Sequence, residues 1–402
     1  MAFLGSIKRE CENRNRKNRN VREHSTSLNL YEYWFHAFGN NFLITGGLES
    51  QRSQVLATAV CVIRKRFRGP IIVLNGSLKF EKEFITLASD NQLGRIIVSS
   101  PSYKNYDLFY GMTETSIRTV LENAAQKRGV SDLSAFGDYT EAFLKVLECK
   151  YTPCFHSMFA MARQSDHAIA DFGSTYQVNN VYLNYIRNGV AGSSFRRVVT
   201  DYGRSFLNIL GSESTGYNIS QIDNSDKIYL IWTSSEYQEL VNEVLAKELT
   251  YLRDTKGIEY LLIINDMNLV QNDPMRAVIE SGKKKSALGV CCANAMTISG
   301  DESMQKIVTG NTPALLVLNS GAEDHEGQMN MLAKFGTYNH FEPVKGVDSH
   351  AGWFQMPGDG ALHMTMMHFE KQRVTVDDMQ GYAIAIRGDK GDTVSLYRRI
   401  GS

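Results

Sequence analysis

The sequence predicts an α/β protein: a largely parallel sheet with helices on both faces, an inserted all-α subdomain and a closing β-hairpin. Three observations lead there. Short, nearly all-apolar runs recur along the chain; stretches with apolar residues three and four apart separate them; and over a hundred residues in the middle carry the second pattern alone.

The apolar runs are NFLITG (41–46), PIIVLNG (70–76), RIIVSS (95–100), KIYLIWT (227–233), YLLIIND (260–266), ALGVCCA (287–293) and PALLVLN (313–319). None alternates strictly, which marks strands covered on both faces. Helical spacing follows the first run over residues 51–66. It recurs over 237–253, where Val241, Leu245, Leu249 and Leu252 share one side. Between the third and fourth runs, TETSIRTVLENAAQKRG, YTEAFLKVLECK and RRVVTDYGRSFLNIL show helical spacing, so residues 104–215 read as the inserted helical domain. YAIAIRG and TVSLYRR flank a Gly-Asp-Lys-Gly-Asp connection (388–392) that suits a hairpin. Residues 35–103 and 216–402 then form the α/β domain.

Composition narrows the function classes. The 402 residues carry 43 Lys+Arg against 43 Asp+Glu, which excludes binding of nucleic acid through global basicity. Six cysteines are too few for a disulfide framework and fit a reducing compartment. No apolar run approaches the ~20 residues of a membrane span, and the N-terminus lacks a secretory apolar region. A cytoplasmic protein is expected, at most peripheral at the inner face of the cell membrane. Residues 1–34 read as a basic, flexible arm: KRECENRNRKNRNVR (8–22) has seven basic residues, two acidic ones and no apolar periodicity. Such an arm is either a solvated tail or a contact for nucleic acid through Arg14, Arg16 and Lys17.

The stretch FLITGGLESQRSQVLATAV (42–60) carries the most chemistry. A strand breaks at Gly46-Gly47 and gives way to helical spacing, the setting of a phosphate-binding loop, G-x-x-x-x-G-K-[ST]. Residues 46–53 read G-G-L-E-S-Q-R-S, so the first glycine and the final hydroxyl, Ser53, are in place. Gln51 stands at the second glycine and Arg52 at the lysine. Glycine permits backbone conformations that Gln51 adopts only with strain. A planar guanidinium does not replace a compact ammonium in a tight cradle. Glu49 adds negative charge beside an anion site. The second element of such a site is a strand ending in carboxylates that organise Mg²⁺ and water. YLLIINDMN (260–268) offers Asn265 at the metal-side position and Asp266 at the catalytic one. The bland alternative is an ordinary strand–turn–helix with a fortuitous Gly-Gly.

The order of these segments resembles the TraG/TraD-type coupling ATPases of conjugation and type IV secretion, within the hexameric DNA-translocating motors that include HerA and FtsK. FLITGGLESQRS resembles their phosphate loop. PIIVLNGSLKF resembles their second strand, with Asn75 where Asp is common and Leu78 or Lys79 near the following Lys. YLLIINDMNLV resembles the acidic strand. SGKKKSALGVCCANAM resembles the segment before a polar sensor, for which Asn294 is the nearest residue. GYAIAIRGDKGDTVSLYRR resembles the terminal hairpin. The resemblance implies a RecA-like P-loop nucleotide domain with an all-α insertion, ATP and Mg²⁺ as cofactors, and Asp266, Asn265 and Asn294 as the catalytic set. Gly46, Gly47, Gln51, Arg52 and Ser53 would bind the nucleotide. The implied partners are secretion or conjugation proteins, DNA, and an active ATPase paralogue in a homo- or hetero-oligomer. Every catalytic motif is altered, which favours a degenerate pseudo-ATPase subunit or adaptor. An active DNA-translocating motor and an unrelated α/β interaction module are the rival readings.

Lys283, Lys284 and Lys285 follow the acidic strand and form either a solvated turn or a DNA-facing patch. Arg196, Arg197 and Arg204 form a second basic cluster in the helical region. Cys149, Cys154 and His156, and separately His363 and His368, lack the full ligand set of a structural zinc site.

Overall fold

The structure, a computed structural model, describes residues 2–29, 40–265, 273–281, 287–293, 302–320, 325–347, 362–388 and 393–401. Helix α1 (Ala2–Arg19) leads into strand β1 (Val21–Asn29). The seven predicted strands follow as β2 (Phe42–Gly46), β3 (Ile71–Asn75), β4 (Ile96–Ser99), β5 (Ile228–Trp232), β6 (Leu261–Asn265), β7 (Ala287–Cys292) and β8 (Ala314–Leu318). All seven are parallel, in the spatial order β8-β2-β7-β6-β3-β5-β4. The predicted closing hairpin is β11 (Ile384–Arg387) and β12 (Val394–Gly401), with β11 running antiparallel to both β8 and β12. Strands β9 (Thr337–Val347) and β10 (Leu362–Gln372) form a separate antiparallel pair.

The strands read as continuous apolar runs because both sheet faces are buried. Side chains alternate between two cores. One holds Phe42, Ile44, Ile71, Val73, Ile263 and Leu316, covered by Val55, Leu56 and Val60 of α2 (Glu49–Arg66) and by Phe80 and Phe84 of α3 (Leu78–Asp90). The other holds Leu43, Ile72, Leu74, Ile264, Val290 and Val317.

The second core continues into the helices between β4 and β5. These are α4 (Glu114–Lys127), α5 (Leu133–Glu148), α6 (Phe155–Ala162), α7 (Asp166–Thr175), α8 (Asn180–Arg187) and α9 (Gly192–Ser205). Side-chain oxygens of Thr113, Asp132, Ser165 and Asn179 cap four of their N-termini. Their centre is aromatic: Phe143 and Phe195 lie 4.5 Å apart by ring centroid, with Phe136 and Tyr139 beside them. Helix α10 (Gln238–Thr250) packs Leu240, Val244, Leu245 and Leu249 into the same core. Three further helices are α11 (Asp273–Ser281), α12 (Glu302–Asn311) and α13 (His325–Ala333).

Residues 2–29 differ from the flexible arm expected of them. Strand β1 extends the main sheet by pairing parallel with β12. Helix α1 meets the open edge of β9 through side-chain amides, a kind of contact that apolar periodicity does not mark. Asn15 Nδ2 donates to Phe341 O (2.9 Å) and Asn15 Oδ1 accepts from Phe341 N (2.7 Å), as a neighbouring strand would. Asn18 donates to Asn339 O (3.1 Å), and Arg19 reaches both Arg373 O and Asp378, each at 2.8 Å. Asn15→Ala is expected to weaken this docking by about 1–2 kcal/mol. Hydrogen exchange should then speed up in α1 and at the β9 edge while β2, β3 and β6 keep their protection.

Candidate functional site

The bend after β2 lies at the carboxyl edge of the parallel sheet. There Gly46, Cys292, Asn265 and Asn75 end neighbouring strands. A cleft of about 230 Å³ opens on this edge, lined by Glu49, Arg52, Ser53, Ser77, Asn265 and Cys292 among others. Strand ends and a helix N-terminus meeting in this way form the usual place for a ligand in an open α/β sheet.

Glycine is required at the bend. Gly46 and Gly47 have φ of +80° and +65°, and a Cβ would stand 2.4 Å from Leu318 O at the first and 2.7 Å from Leu318 Cβ at the second. The loop therefore lies hard against the end of β8. Helix α2 starts at Glu49, two residues before the helical spacing read over 51–66, because Gln51 folds back as its cap: its Oε1 accepts the Leu48 N–H at 3.1 Å. Ser53 is thus already within the helix, and buried.

Three backbone donors at the start of the loop are engaged within the protein. Successive backbone N–H groups must point at the anion for such a loop to bind it. Here the Gly46 N–H goes to Ala293 O (2.9 Å), the Gly47 N–H to Ser320 Oγ (2.9 Å) and the Leu48 N–H to Gln51. Arg52 turns inward and donates Nη1 to Gly46 O at 3.1 Å and to Gly47 O. The guanidinium clips the loop shut from below.

Amides stand at the ends of β3 and β6. Asn265 Nδ2 donates to Asn75 Oδ1 at 2.9 Å; the same oxygen accepts Ser77 N–H at 3.0 Å, and Asn75 Nδ2 donates to Ser77 O at 2.9 Å. Asn75 is fully buried, so this closed set of bonds holds the ends of β3 and β6 together. Glu49 accepts a hydrogen bond from the Ser77 hydroxyl (2.6 Å), which ties α2 to the loop before α3. Burial pushes the Cys292 thiol up to about 12 and the Cys291 thiol higher still, so both stay protonated and inert.

ATP and Mg²⁺ are the groups this position in the fold implies, and several of the described residues that would hold them are bonded within the protein. The N–H groups of Gly46, Gly47 and Leu48 are taken, and Arg52 is bonded to the loop it should extend beyond. Among the described residues, the one carboxylate lining the cleft, Glu49, is engaged by Ser77.

The structure thus brings Gly46, Gly47, Gln51, Arg52, Ser53 and Asn265 to one edge. Asp266, Asn294 and Lys283, Lys284 and Lys285 lie outside the described residues. Arg14, Arg16 and Lys17 lie on α1, which packs on β9. Arg14 pairs with Glu10 (2.7 Å) and covers the Phe341 ring, while Arg16 and Lys17 are exposed. Sequence reasoning missed Ser320, which sits just beyond an apolar run and meets the loop only through the β2–β8 pairing. Cys154 and Ser157 are partners in the cap of α6.

Neither a protein-family model nor a curated protein matches the chain by sequence. Among solved structures, the unbound bacterial conjugative coupling protein TrwB lacking its first 70 residues is similar with a TM-score of 0.55 and 12% identity, covering 90% of this chain and 84% of that one. TrwB in complex with ADP and Mg²⁺ gives 0.54 and 12%, over 96% and 92% of the two chains. TrwB with the GTP analogue GDPNP gives 0.55 and 11% over the same shares. At such identities the likeness is one of fold, and it agrees with the fold that the coupling-protein resemblance implies. The chain has the RecA-like P-loop fold of the conjugative coupling protein TrwB.

Proposed function

We propose that this protein is a coupling-protein-like component of conjugative DNA transfer or type IV secretion, acting as a pseudo-ATPase subunit or adaptor. The observation that carries the reading is the closed loop: Gly46, Gly47 and Leu48 have their amides bonded within the protein, and Arg52 bridges the loop carbonyls. The fold supports a place in such a machine, and the site supports a role other than hydrolysis. In this reading residues 104–215 form the inserted domain that meets transferred protein or DNA. An active paralogue supplies energy within a homo- or hetero-oligomer. Exposed Arg16 and Lys17, with Lys283, Lys284 and Lys285, supply the cationic contacts to DNA. The protein works in the cytoplasm, beside the membrane-embedded parts of the channel.

Two outcomes test the site. Asn265→Asp alone sets a carboxylate against Asn75 Oδ1, now 2.9 Å from the amide nitrogen. It should lower stability by about 1–3 kcal/mol, read as a fall in Tm. The native protein should show no magnesium-dependent ATP binding in calorimetry. The triple variant Gln51→Gly, Arg52→Lys, Asn265→Asp should gain it, because Leu48 N–H and the two loop carbonyls are then released. Tight magnesium-dependent binding by the native chain, lost in Arg52→Ala, would instead favour the reading of an active ATPase.

A further inference from the structure

The helical insertion joins the sheet through two crossings of the chain, residues 104–112 outward and 206–222 on return. They are laced together. Tyr106 N–H donates to Ile209 O (2.9 Å), Gly211 N–H to Tyr106 O (3.1 Å) and Asp107 N–H to Tyr217 O (2.7 Å). Asn218 Nδ2 adds bonds to Asp107 O (2.9 Å) and Tyr110 O (2.8 Å). Glu248 of α10 enters this neck from the sheet side, fully buried, and its carboxyl shares a hydrogen bond with the buried Tyr106 hydroxyl.

The charge balance inside the neck is one-sided. The titratable groups facing Glu248 are Tyr106, Asp107 and Tyr217, and the Ile219 backbone completes its surroundings. Asp107 is also fully buried; its Oδ2 accepts from Ser214 Oγ (2.6 Å) and Gly216 N–H (2.8 Å), and its Oδ1 has no hydrogen-bond partner among the described residues. Among the described residues, no cation acts on Glu248. Two carboxyls sharing a dry site without a cation cannot both ionise cheaply.

We propose that the neck is a proton-operated hinge: with Glu248 protonated the insertion is clamped to the sheet, and loss of that proton loosens the Tyr106–Ile209, Tyr106–Gly211 and Asp107–Tyr217 lacing. Burial, reinforced by Asp107, raises the Glu248 carboxyl from an ordinary 4.5 to about 8. The sign follows from linkage. An acid whose folded value is raised keeps its proton in the folded state while the unfolded chain has lost it. The stabilisation is therefore complete below 4.5 and gone once pH has risen through 8. The device rests on the fold alone and stands whether or not nucleotide binds.

Hydrogen exchange of the intact protein between pH 6 and 9, corrected for intrinsic rates, tests it. Peptides covering 104–112 and 206–222 should lose protection by about tenfold per pH unit through the transition, while β3 and β6 do not change. Glu248→Gln should abolish the dependence. Two further variants move the midpoint in opposite directions: Tyr106→Phe upward, since its hydroxyl favours the ionised carboxyl, and Asp107→Asn downward, since its charge opposes ionisation. A flat native profile, a dependence that survives in Glu248→Gln, or both midpoints moving the same way would each overturn the hinge. Should Glu248→Gln fail to fold, the opposed midpoint shifts decide the matter alone.

Discussion

Burial of both faces of one parallel sheet is the constraint from which the rest follows. The side chains of β2, β3 and β8 are buried throughout, so each strand commits apolar residues to two cores at once. One core needs only α2 and α3; the other needs α10 and the helices of the insertion. The insertion is therefore continuous with the sheet's own interior, and its attachment at the neck passes through buried groups. Strand ends at the carboxyl edge inherit positions set by this packing. Gly46, Asn75 and Asn265 keep their relative places whatever chemistry remains there.

That constraint also decides what could be read in advance. A strand buried on both faces writes itself as an unbroken apolar run, so all seven parallel strands were legible, as were α2, α4, α5, α9 and α10 from their spacing. The polar module at the edge was not. Helix α1 docks through the amides of Asn15 and Asn18, and β1 buries little beyond Leu28, so neither shows an apolar pattern. Strands β9 and β10, with Pro343 and Gly346 in one and a methionine-rich segment in the other, lacked the composition that marks the parallel strands.

The candidate site was half legible. The Gly-Gly bend and the exchanged residues at 51, 52 and 265 could be named from their order. The direction in which Gln51 and Arg52 turn could not, because losing a glycine or an ammonium says nothing about what the replacement bonds to. Nor could the contact from Ser320, which depends on β8 lying beside β2. The structure adds that Gln51 and Arg52 both turn back onto the loop, and that Asn265 donates to Asn75, whose own amide donates to Ser77.

The pairing of β1 with β12 has a kinetic side. Val21 lies opposite Val394, so the sheet's outer strand finds its partner only after more than 360 further residues have been made. At about 5–20 residues per second, translation keeps β1 waiting for tens of seconds. During that interval its backbone groups and the amides of α1 have no native counterpart. Polar, charge-rich composition, rather than an apolar face, keeps such a segment soluble while it waits, which gives a physical reason for the unusual make-up of this end of the chain.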